Sequence, residues 1–273
     1  MFKIILYFLL LITVFVSVGA GRRKEMPRPE SSEEPWGGNW FPYKPTDKAA
    51  AATKRIKTTI NVCDDGKHAI GLDFDPTNKT HSYNYLCLSN RKLYEPNLQR
   101  EAVLTQHLVP PAYVAPIKCM NESISYEAEL PTFGPHRLLA PKYGSYQYLP
   151  PQRWLQSLAD GAIVMLFHPC AFRGQINLLK NTLEGCLYRH IITPSQQLTP
   201  ERPLALLSWG KRLEMSVVDD RIVVDFIKQH AKHGPNTKQN EVLPLKFYEA
   251  GLLSEASLVT DEDDSEICGF KNM

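Results

Sequence analysis

The clearest hydrophobic pattern in the sequence is a continuous apolar run over residues 162–167, AIVMLF, which has the length of a buried strand. Four apolar residues then recur at helical spacing through FRGQINLLKNTLEG: Phe172, Ile176, Leu179 and Leu183. Because the period changes from a strand-length run to one near 3.6, the pattern predicts a strand followed by a helix from Phe172 to Gly185.

Three further strands and a second helix are predicted downstream. Residues 186–193 (CLYRHIIT) and 204–209 have strand character, and residues 213–217 alternate between apolar and polar side chains after a plausible turn at Gly210-Lys211. Asp219 and Asp220 can cap the second helix, which Gly234-Pro235 would end. The apolar stripe of that helix consists of Ile222, Val223, Phe226 and Ile227.

The order strand, helix, three strands, helix predicts the fold class. Its most economical arrangement is an α+β two-layer sandwich, in which two helices pack on one face of a mostly antiparallel sheet. We assign this core domain to residues 130–235. Upstream, short apolar pieces alternate with turn signals, so we expect a small β-rich lobe over residues 60–129. Downstream, residues 236–273 are polar and end in TDEDDSEICGFKNM, which predicts a solvated acidic tail.

The first twenty residues have the pattern of a signal peptide. Lys3 precedes an apolar run from Ile4 to Val18, and Val18-Gly19-Ala20 provides the small residues of a cleavage site. We therefore predict export to a secreted or lumenal location, with no stable membrane span after cleavage. The alternative is that the segment stays uncleaved and anchors the chain.

Residues 21–59 mix proline, glycine and charges without periodicity, so we predict a flexible arm or linker. Four aromatic residues in it are unusual for a pure linker: Trp36, Trp40, Phe41 and Tyr43. They either pack back onto the domain or dock on a partner, and both interpretations remain open.

The charge is balanced, with 31 basic and 29 acidic residues giving a formal net charge of +2. This balance does not indicate a nucleic-acid or anionic-membrane partner. The 43% hydrophobic content is ordinary for a chain that folds around a core. We therefore expect an as yet unknown protein partner and no nucleic acid.

Two sequons and six cysteines fit an exported chain. Asn78 and Asn121 are the candidate glycosylation sites. The even cysteine count permits three bridges, although buried free thiols are an alternative, and no CxxC pair is present. We favour Cys63 with Cys87, because both lie in the expected β-rich lobe. The predicted helix separates Cys170 from Cys186 by roughly 20 Å, so these two cysteines should not bridge each other.

The stretch LPTFGPHRLLAPKYGSYQYLPPQRWL, with its Gly-Pro-His element and Tyr-Gly-x-Tyr spacing, carries a family resemblance. It resembles the tumour protein p53-inducible protein 13 family of vertebrates and, more distantly, a domain of unknown function in bacterial exported proteins. The resemblance covers roughly residues 130–235. It implies an α+β domain in a secretory-pathway or membrane-associated protein, and for the vertebrate protein a role in restraining cell growth. It implies no established reaction.

One departure from the family pattern bears on chemistry. Where the pattern reads His-Asn-Leu-Glu-His-Gly, this chain has Gln156, Ser157, Leu158, Ala159, Asp160 and Gly161. Two imidazoles and a carboxylate could hold a metal, whereas glutamine is a poor ligand and alanine is none. The segment therefore indicates a degenerate site that keeps only His136 of the Gly-Pro-His element.

A different, residual site could combine His136, Asp160, His168 and Cys170, since His168 and Cys170 lie two residues apart at a strand end. The competing interpretation makes both histidines structural and Cys170 bridged or buried. Ser208 in LLSWGK lacks the frame of a hydrolase nucleophile. We therefore expect a non-enzymatic binding protein with no cofactor and no metal. The alternative is a metal-dependent or thiol-based enzyme that uses the residual His/Cys cluster.

Overall fold

The computed structural model of the protein describes residues 63–237 and 246–269. The expected signal peptide and the arm with its aromatic cluster lie outside these residues. The described part forms nine strands: β1 (Val103–Gln106), β2 (Ile117–Lys118), β3 (His136–Arg137), β4 (Gly144–Tyr146), β5 (Ile163–Phe167), β6 (His190–Pro194), β7 (Leu204–Ser208), β8 (Lys211–Met215) and β9 (Leu252–Glu255). Its α-helices are α1 (Pro151–Ala159), α2 (Arg173–Glu184) and α3 (Asp220–His230).

Seven of the strands form one mixed sheet in the order β1-β8-β7-β5-β6-β4-β9. The pairs β5–β6 and β4–β6 are parallel, and the other neighbouring pairs are antiparallel. Strands β2 and β3 form a separate two-stranded parallel sheet. The α+β class with a mostly antiparallel sheet is therefore confirmed.

The main sheet is covered on both faces, which differs from the expected two layers. Ile163 and Met165 of β5 lie in the core under α2 and α3, whereas Val164 and Leu166 point to the opposite side and pack with α1. Because successive residues of a strand face opposite sides, a fully apolar strand such as β5 needs cover on both. Helix α1, which the pattern did not predict, provides it.

The other two helices follow the prediction closely. Helix α2 begins after the N-cap Phe172 and ends before the C-cap Gly185, as the spacing indicated. The Asp219 carboxylate caps α3 by accepting from the backbone N–H groups of Arg221 and Ile222. Helix α3 ends at His230, which is earlier than the predicted Gly234-Pro235 stop.

The expected β-rich lobe over residues 60–129 is wrong in its described part. Residues 63–102 carry three 3-10 helices, Ile70–Leu72, Lys79–Asn84 and Arg91–Tyr94, and β1 joins the edge of the main sheet. Asn78 and Asn90 explain the difference, because each side chain accepts from the backbone N–H two residues later. Such local hydrogen bonds favour turns over strand pairing.

The expected solvated tail is also wrong over residues 246–269. Strand β9 pairs with β4 at the edge of the sheet. Farther along, Asp264 is buried, and its carboxylate accepts from the backbone N–H groups of Tyr188 and Arg189. The acidic run therefore docks on the domain because one of its carboxylates satisfies two backbone donors.

Three disulfides link distant parts of the described residues, and the preferred pairing of Cys63 with Cys87 is wrong. The bridges are Cys63–Cys119, Cys87–Cys170 and Cys186–Cys268. Residues close in sequence do not pair here because the segment after Cys63 is not a self-contained hairpin. The expectation that Cys170 and Cys186 do not bridge each other is confirmed. Three disulfides indicate an oxidising, extracellular or lumenal environment.

Candidate functional site

The stretch that carries the family resemblance contains two buried arginines, Arg137 directly after the Gly-Pro-His element and Arg153 in the Gln-Arg-Trp sequence, and each is held by a carboxylate from outside the stretch. The Arg137 guanidinium donates to both carboxylate oxygens of Asp73, at 2.7 and 2.6 Å. It also donates to the carbonyl oxygens of Cys119 and Glu122. Arg137 is 0% exposed. The arginine therefore clamps the preceding segment onto the domain.

Arg153 of α1 forms the second clamp with Asp64, and both side chains are almost fully buried. The guanidinium donates to the two Asp64 oxygens at 2.5 and 3.1 Å, and it lies 4.1 Å from the ring centroid of Tyr248. Asp64 also accepts from the backbone N–H of Leu139. Both arginines therefore hold segments of the chain in place.

His136 lies on β3 next to this clamp and is 4% exposed. Its Nδ1 is 2.9 Å from the carbonyl oxygen of Arg137, to which it donates as a neutral ring. Burial lowers the pKa of His136. The one histidine of the family elements is therefore a neutral, hydrogen-bonded side chain of the interior.

The degenerate motif occupies the second half of α1 and the turn that follows. Ser157, Leu158 and Ala159 are buried, so this part of the helix packs into the interior. The Gln156 Oε1 and Ser157 Oγ atoms are buried without a hydrogen-bond partner among the described residues. Gln156 and Asp160, the positions that would carry imidazoles in the family pattern, are half-buried.

Residues 232–237, which follow α3, cover the end of α1. The backbone N–H of Asn236 donates to the Ala159 carbonyl oxygen, and its side-chain amide donates to Asp160 at 3.2 Å. The backbone N–H of Lys232 donates to the carbonyl oxygen of Gly161 at 2.7 Å. Asp160 is therefore engaged in closing this end of the domain.

His168 and Cys170 follow β5 and lie close together, and both side chains have structural roles. The backbone N–H of Cys170 donates to His168 Nδ1 at 3.1 Å, and the His168 ring stacks on Tyr94 with centroids 3.9 Å apart. Burial lowers the pKa of His168 to about 4, so the ring is neutral near pH 7. Cys170 is bridged to Cys87 and has no free thiol.

The four residues of the expected residual site do not converge. Asp160 precedes β5 and His168 follows it, and a five-residue strand separates them by about 15 Å. His136 belongs to the other sheet. Within residues 63–237 and 246–269, no group of three or more His, Cys, Asp or Glu side chains is placed to hold a metal ion.

Residues 117–242 match the model of a protein family described as "Protein of unknown function (DUF3105)". The chain contains a DUF3105 domain. Comparison with the curated proteins gave no match, and comparison with the solved structures gave none either. The expected likeness to a domain of unknown function is therefore confirmed. Both buried arginines lie inside the DUF3105 domain, whereas Asp64 and Asp73 lie before it.

A feature that sequence reasoning missed lies on residues 83–101, which we call the groove segment. Side chains of the domain fasten it: Gln196 donates to the Tyr83 and Leu86 carbonyl oxygens, and Arg202 donates to that of Glu101. The Cys87–Cys170 bridge and the Tyr94–His168 stack add two more attachments. The hydrophobic pattern of the sequence does not predict this segment, because its contacts are with residues that are distant in the chain.

The groove segment forms one wall of an open groove of about 530 Å³, whose other wall includes Pro200 and Glu201. A smaller cleft of about 250 Å³ adjoins it at Glu95 and reaches Phe172 and Arg173 at the start of α2. The combined volume of the groove and the cleft lies within the range of ligand-binding clefts, about 300–1,000 Å³. We regard this groove as the candidate functional site.

Proposed function

We propose that this protein acts by binding, as a non-enzymatic secreted or lumenal protein of the p53-inducible protein 13 type. One observation carries the proposal: of sixteen exposed large hydrophobic side chains in the described residues, eleven lie in residues 72–117. The eleven are Leu72, Tyr83, Leu86, Leu88, Leu93, Leu98, Val103, Leu104, Leu108, Val114 and Ile117.

Exposed apolar side chains that are concentrated in one segment favour an interaction surface, because burying them in a partner releases free energy. The groove segment is already fastened to the domain by a disulfide, a ring stack and side-chain hydrogen bonds. A partner would therefore bind a preorganised surface at a lower entropic cost.

The three disulfides and two sequons support export. Asn78 and Asn121 are both exposed on the domain surface. In animal cells the full chain should lose about twenty N-terminal residues and shift in size on glycosidase treatment. The matched control carries Thr80→Ala and Ser123→Ala and should not shift. Recovery of the chain in the cytosol with Met1 intact and both asparagines unmodified would contradict the proposal.

Binding is tested on the exported protein. Purified glycosylated chain is incubated with living cells, crosslinked, and its neighbours are identified by mass spectrometry. We expect saturable binding to the cell surface or matrix that unlabelled protein displaces. Labelling that no excess of unlabelled protein reduces would argue against a specific partner.

Restraint of cell growth is a proposal that rests on the family resemblance alone. Purified exported protein added to dividing animal cells is expected to lower their rate of proliferation. Heat-unfolded protein at the same concentration serves as the control. An unchanged rate at concentrations that saturate binding would remove growth restraint from the proposal and leave binding in place.

Among the described residues, no helix is long and apolar enough to cross a membrane. The alternative proposal of a thiol-based enzyme gains no support, since Cys170 is bridged.

A further inference from the structure

The groove and the cleft that adjoins it together carry an excess of unpaired positive charge. Four exposed cations line them: Lys92 and Arg100 lie in the groove, and Arg91 and Arg173 lie in the cleft. Within the described residues, none of their side chains has an ion pair or a hydrogen bond, whereas buried Arg137 and Arg153 each hold a carboxylate. Two carboxylates face these four cations: Glu201 lines the groove, and Glu95 lines both the groove and the cleft. The local balance is therefore positive, in a chain whose charges are otherwise nearly even.

Apolar side chains lie between these charges. Leu93 is 61% exposed, Leu98 is 88% exposed and Phe172 is 53% exposed. Leu93 and Leu98 lie on the wall of the larger groove, and Phe172 lines the smaller cleft beside it. Exposed leucine and phenylalanine next to unpaired cations match a ligand that offers both apolar groups and negative charge.

The wall that presents these groups is held in place from behind. The ring of Tyr94 packs on His168, and the backbone N–H of Asn97 donates to Ser216 Oγ at 2.9 Å. Leu93 and Leu98 flank these two attachment points, so they are exposed on a segment whose neighbours are fixed. Their exposure is therefore a property of the folded surface.

We propose that this groove binds an acidic peptide segment with interspersed apolar side chains on an extracellular or lumenal protein. The inference rests on the proposed function, since it names the partner chemistry of the same surface. A sulfated glycan would use the cations and leave Leu93, Leu98 and Phe172 exposed to water. The combination of three apolar side chains with four cations favours a peptide over a glycan.

The test uses the exported, glycosylated full chain and a labelled synthetic peptide in which Asp or Glu alternates with Leu or Phe. Binding is measured by fluorescence anisotropy at low and at high salt. We expect saturable binding that weakens as salt rises, because the cations are exposed. A peptide with Lys replacing the acidic residues, and one with Ser replacing the apolar residues, should each bind at least about tenfold more weakly.

Two pairs of variants locate the site. Arg100→Glu and Leu98→Ser should each weaken peptide binding at least about tenfold. Their matched controls, Lys67→Glu and Leu253→Ser, reverse a charge or remove an exposed leucine elsewhere on the surface and should leave binding unchanged. Thermal unfolding of all four variants checks that each remains folded.

Three outcomes of the peptide assays would overturn the inference, and a fourth comes from binding to cells. In the first, none of the peptides binds. In the second, peptide binding is unaffected by Arg100→Glu and Leu98→Ser. In the third, a sulfated oligosaccharide binds in a manner that depends on Arg100 and not on Leu98, which would make the groove a glycan site. If the exported variants still bind cells as the parent does, the groove inference fails while the proposed function stands.

Discussion

At the scale of single residues, the feature that organises this molecule is a pair of fully enclosed arginine–carboxylate contacts. Arg153 with Asp64, and Arg137 with Asp73, are nearly inaccessible to water. A buried ion pair contributes little net stability over an apolar pair, because both charges must be desolvated. Its effect is on specificity: once one charge is buried, only the matching partner segment can satisfy it. The two pairs therefore dictate where residues 63–75 lie.

Asp64→Ala is expected to lower the free energy of unfolding by about 3–5 kcal/mol, because it leaves the Arg153 guanidinium buried without its counter-charge. Glu184→Ala removes the partially exposed Lys180–Glu184 pair of α2 and should cost less than about 0.5 kcal/mol. Urea unfolding of both variants gives the two values. Equal small losses would mean that Asp64 is not the residue that neutralises Arg153.

His168 gives the stability a defined pH dependence. Burial against Tyr94 lowers its folded-state pKa to about 4, below the unfolded value of about 6.5. As the pH falls, the unfolded chain binds the proton first. The contribution of His168 is therefore fully present above about pH 6.5 and is lost between that pH and about pH 4.

His168→Gln should therefore shrink the fall in unfolding temperature between pH 7 and pH 5 by roughly 4–7 °C. The variant will also unfold at a lower temperature at every pH, since the ring stack is lost, so the difference between the two pH values is the informative quantity. His233→Gln changes an exposed histidine and should behave as the parent does. An undiminished fall in His168→Gln would contradict the assignment.

At the scale of elements, hydrophobic patterns predicted the strands and helices that are determined by residues close together in the sequence. The strand at Ile163–Phe167 and the helix that begins after Phe172 are visible because an unbroken apolar run and a 3.6-residue period need no distant partner. Helix α1 escaped prediction because its apolar stripe, Trp154, Leu155 and Leu158, is short and interrupted by Arg153 and Ser157. Arg153 is buried through its contact with Asp64, which lies 89 residues away and which the sequence does not display.

The site residues also divide into features that depend on residue type alone and features that depend on distant contacts. The prediction that the segment from Gln156 to Gly161 lacks a complete set of metal ligands depended only on residue types, which can be read from the sequence. The groove could not be predicted, since it exists only where residues 91–100 meet residues 170–173 and 200–201. The disulfide pairing failed for the same reason, because bridged cysteines are 56 to 83 residues apart.

The turn between α1 and β5 depends on one glycine. Gly161 has a φ of +85°, and a Cβ there would lie 2.7 Å from the Cα of Lys232. Gly161→Ala should therefore lower stability by at least about 1–2 kcal/mol from the left-handed conformation alone. Gly71→Ala is the matched control, since its Cβ would meet only Asp75 at 3.9 Å, and it should fall within about 0.5 kcal/mol of the parent. Chemical unfolding gives the free energy of unfolding of both variants. Equal values would contradict the turn geometry.

At the scale of the whole molecule, the DUF3105 domain is completed by chain on both sides of it. Residues before position 117 supply Asp64, Asp73 and two cysteines, together with the edge strand β1. Residues after position 242 supply β9, Asp264 and Cys268. The additions that complete the fold also form the groove wall, so folding and the proposed binding surface depend on the same segment.

It follows that residues 117–242 alone should not fold cooperatively, whereas residues 63–273 should. The short piece lacks Cys63, Cys87 and Cys268, and it therefore loses all three bridges, each of which contributes about 2–5 kcal/mol in small exported domains. It also lacks Asp64 and Asp73, so Arg153 and Arg137 lose the carboxylates that hold them. A domain has only about 5–15 kcal/mol of stability in total, so these losses exceed what it can tolerate. Thermal unfolding followed by circular dichroism compares the two pieces, and a single sharp transition in residues 117–242, at a temperature near that of the longer piece, would show that the flanking clamps are dispensable.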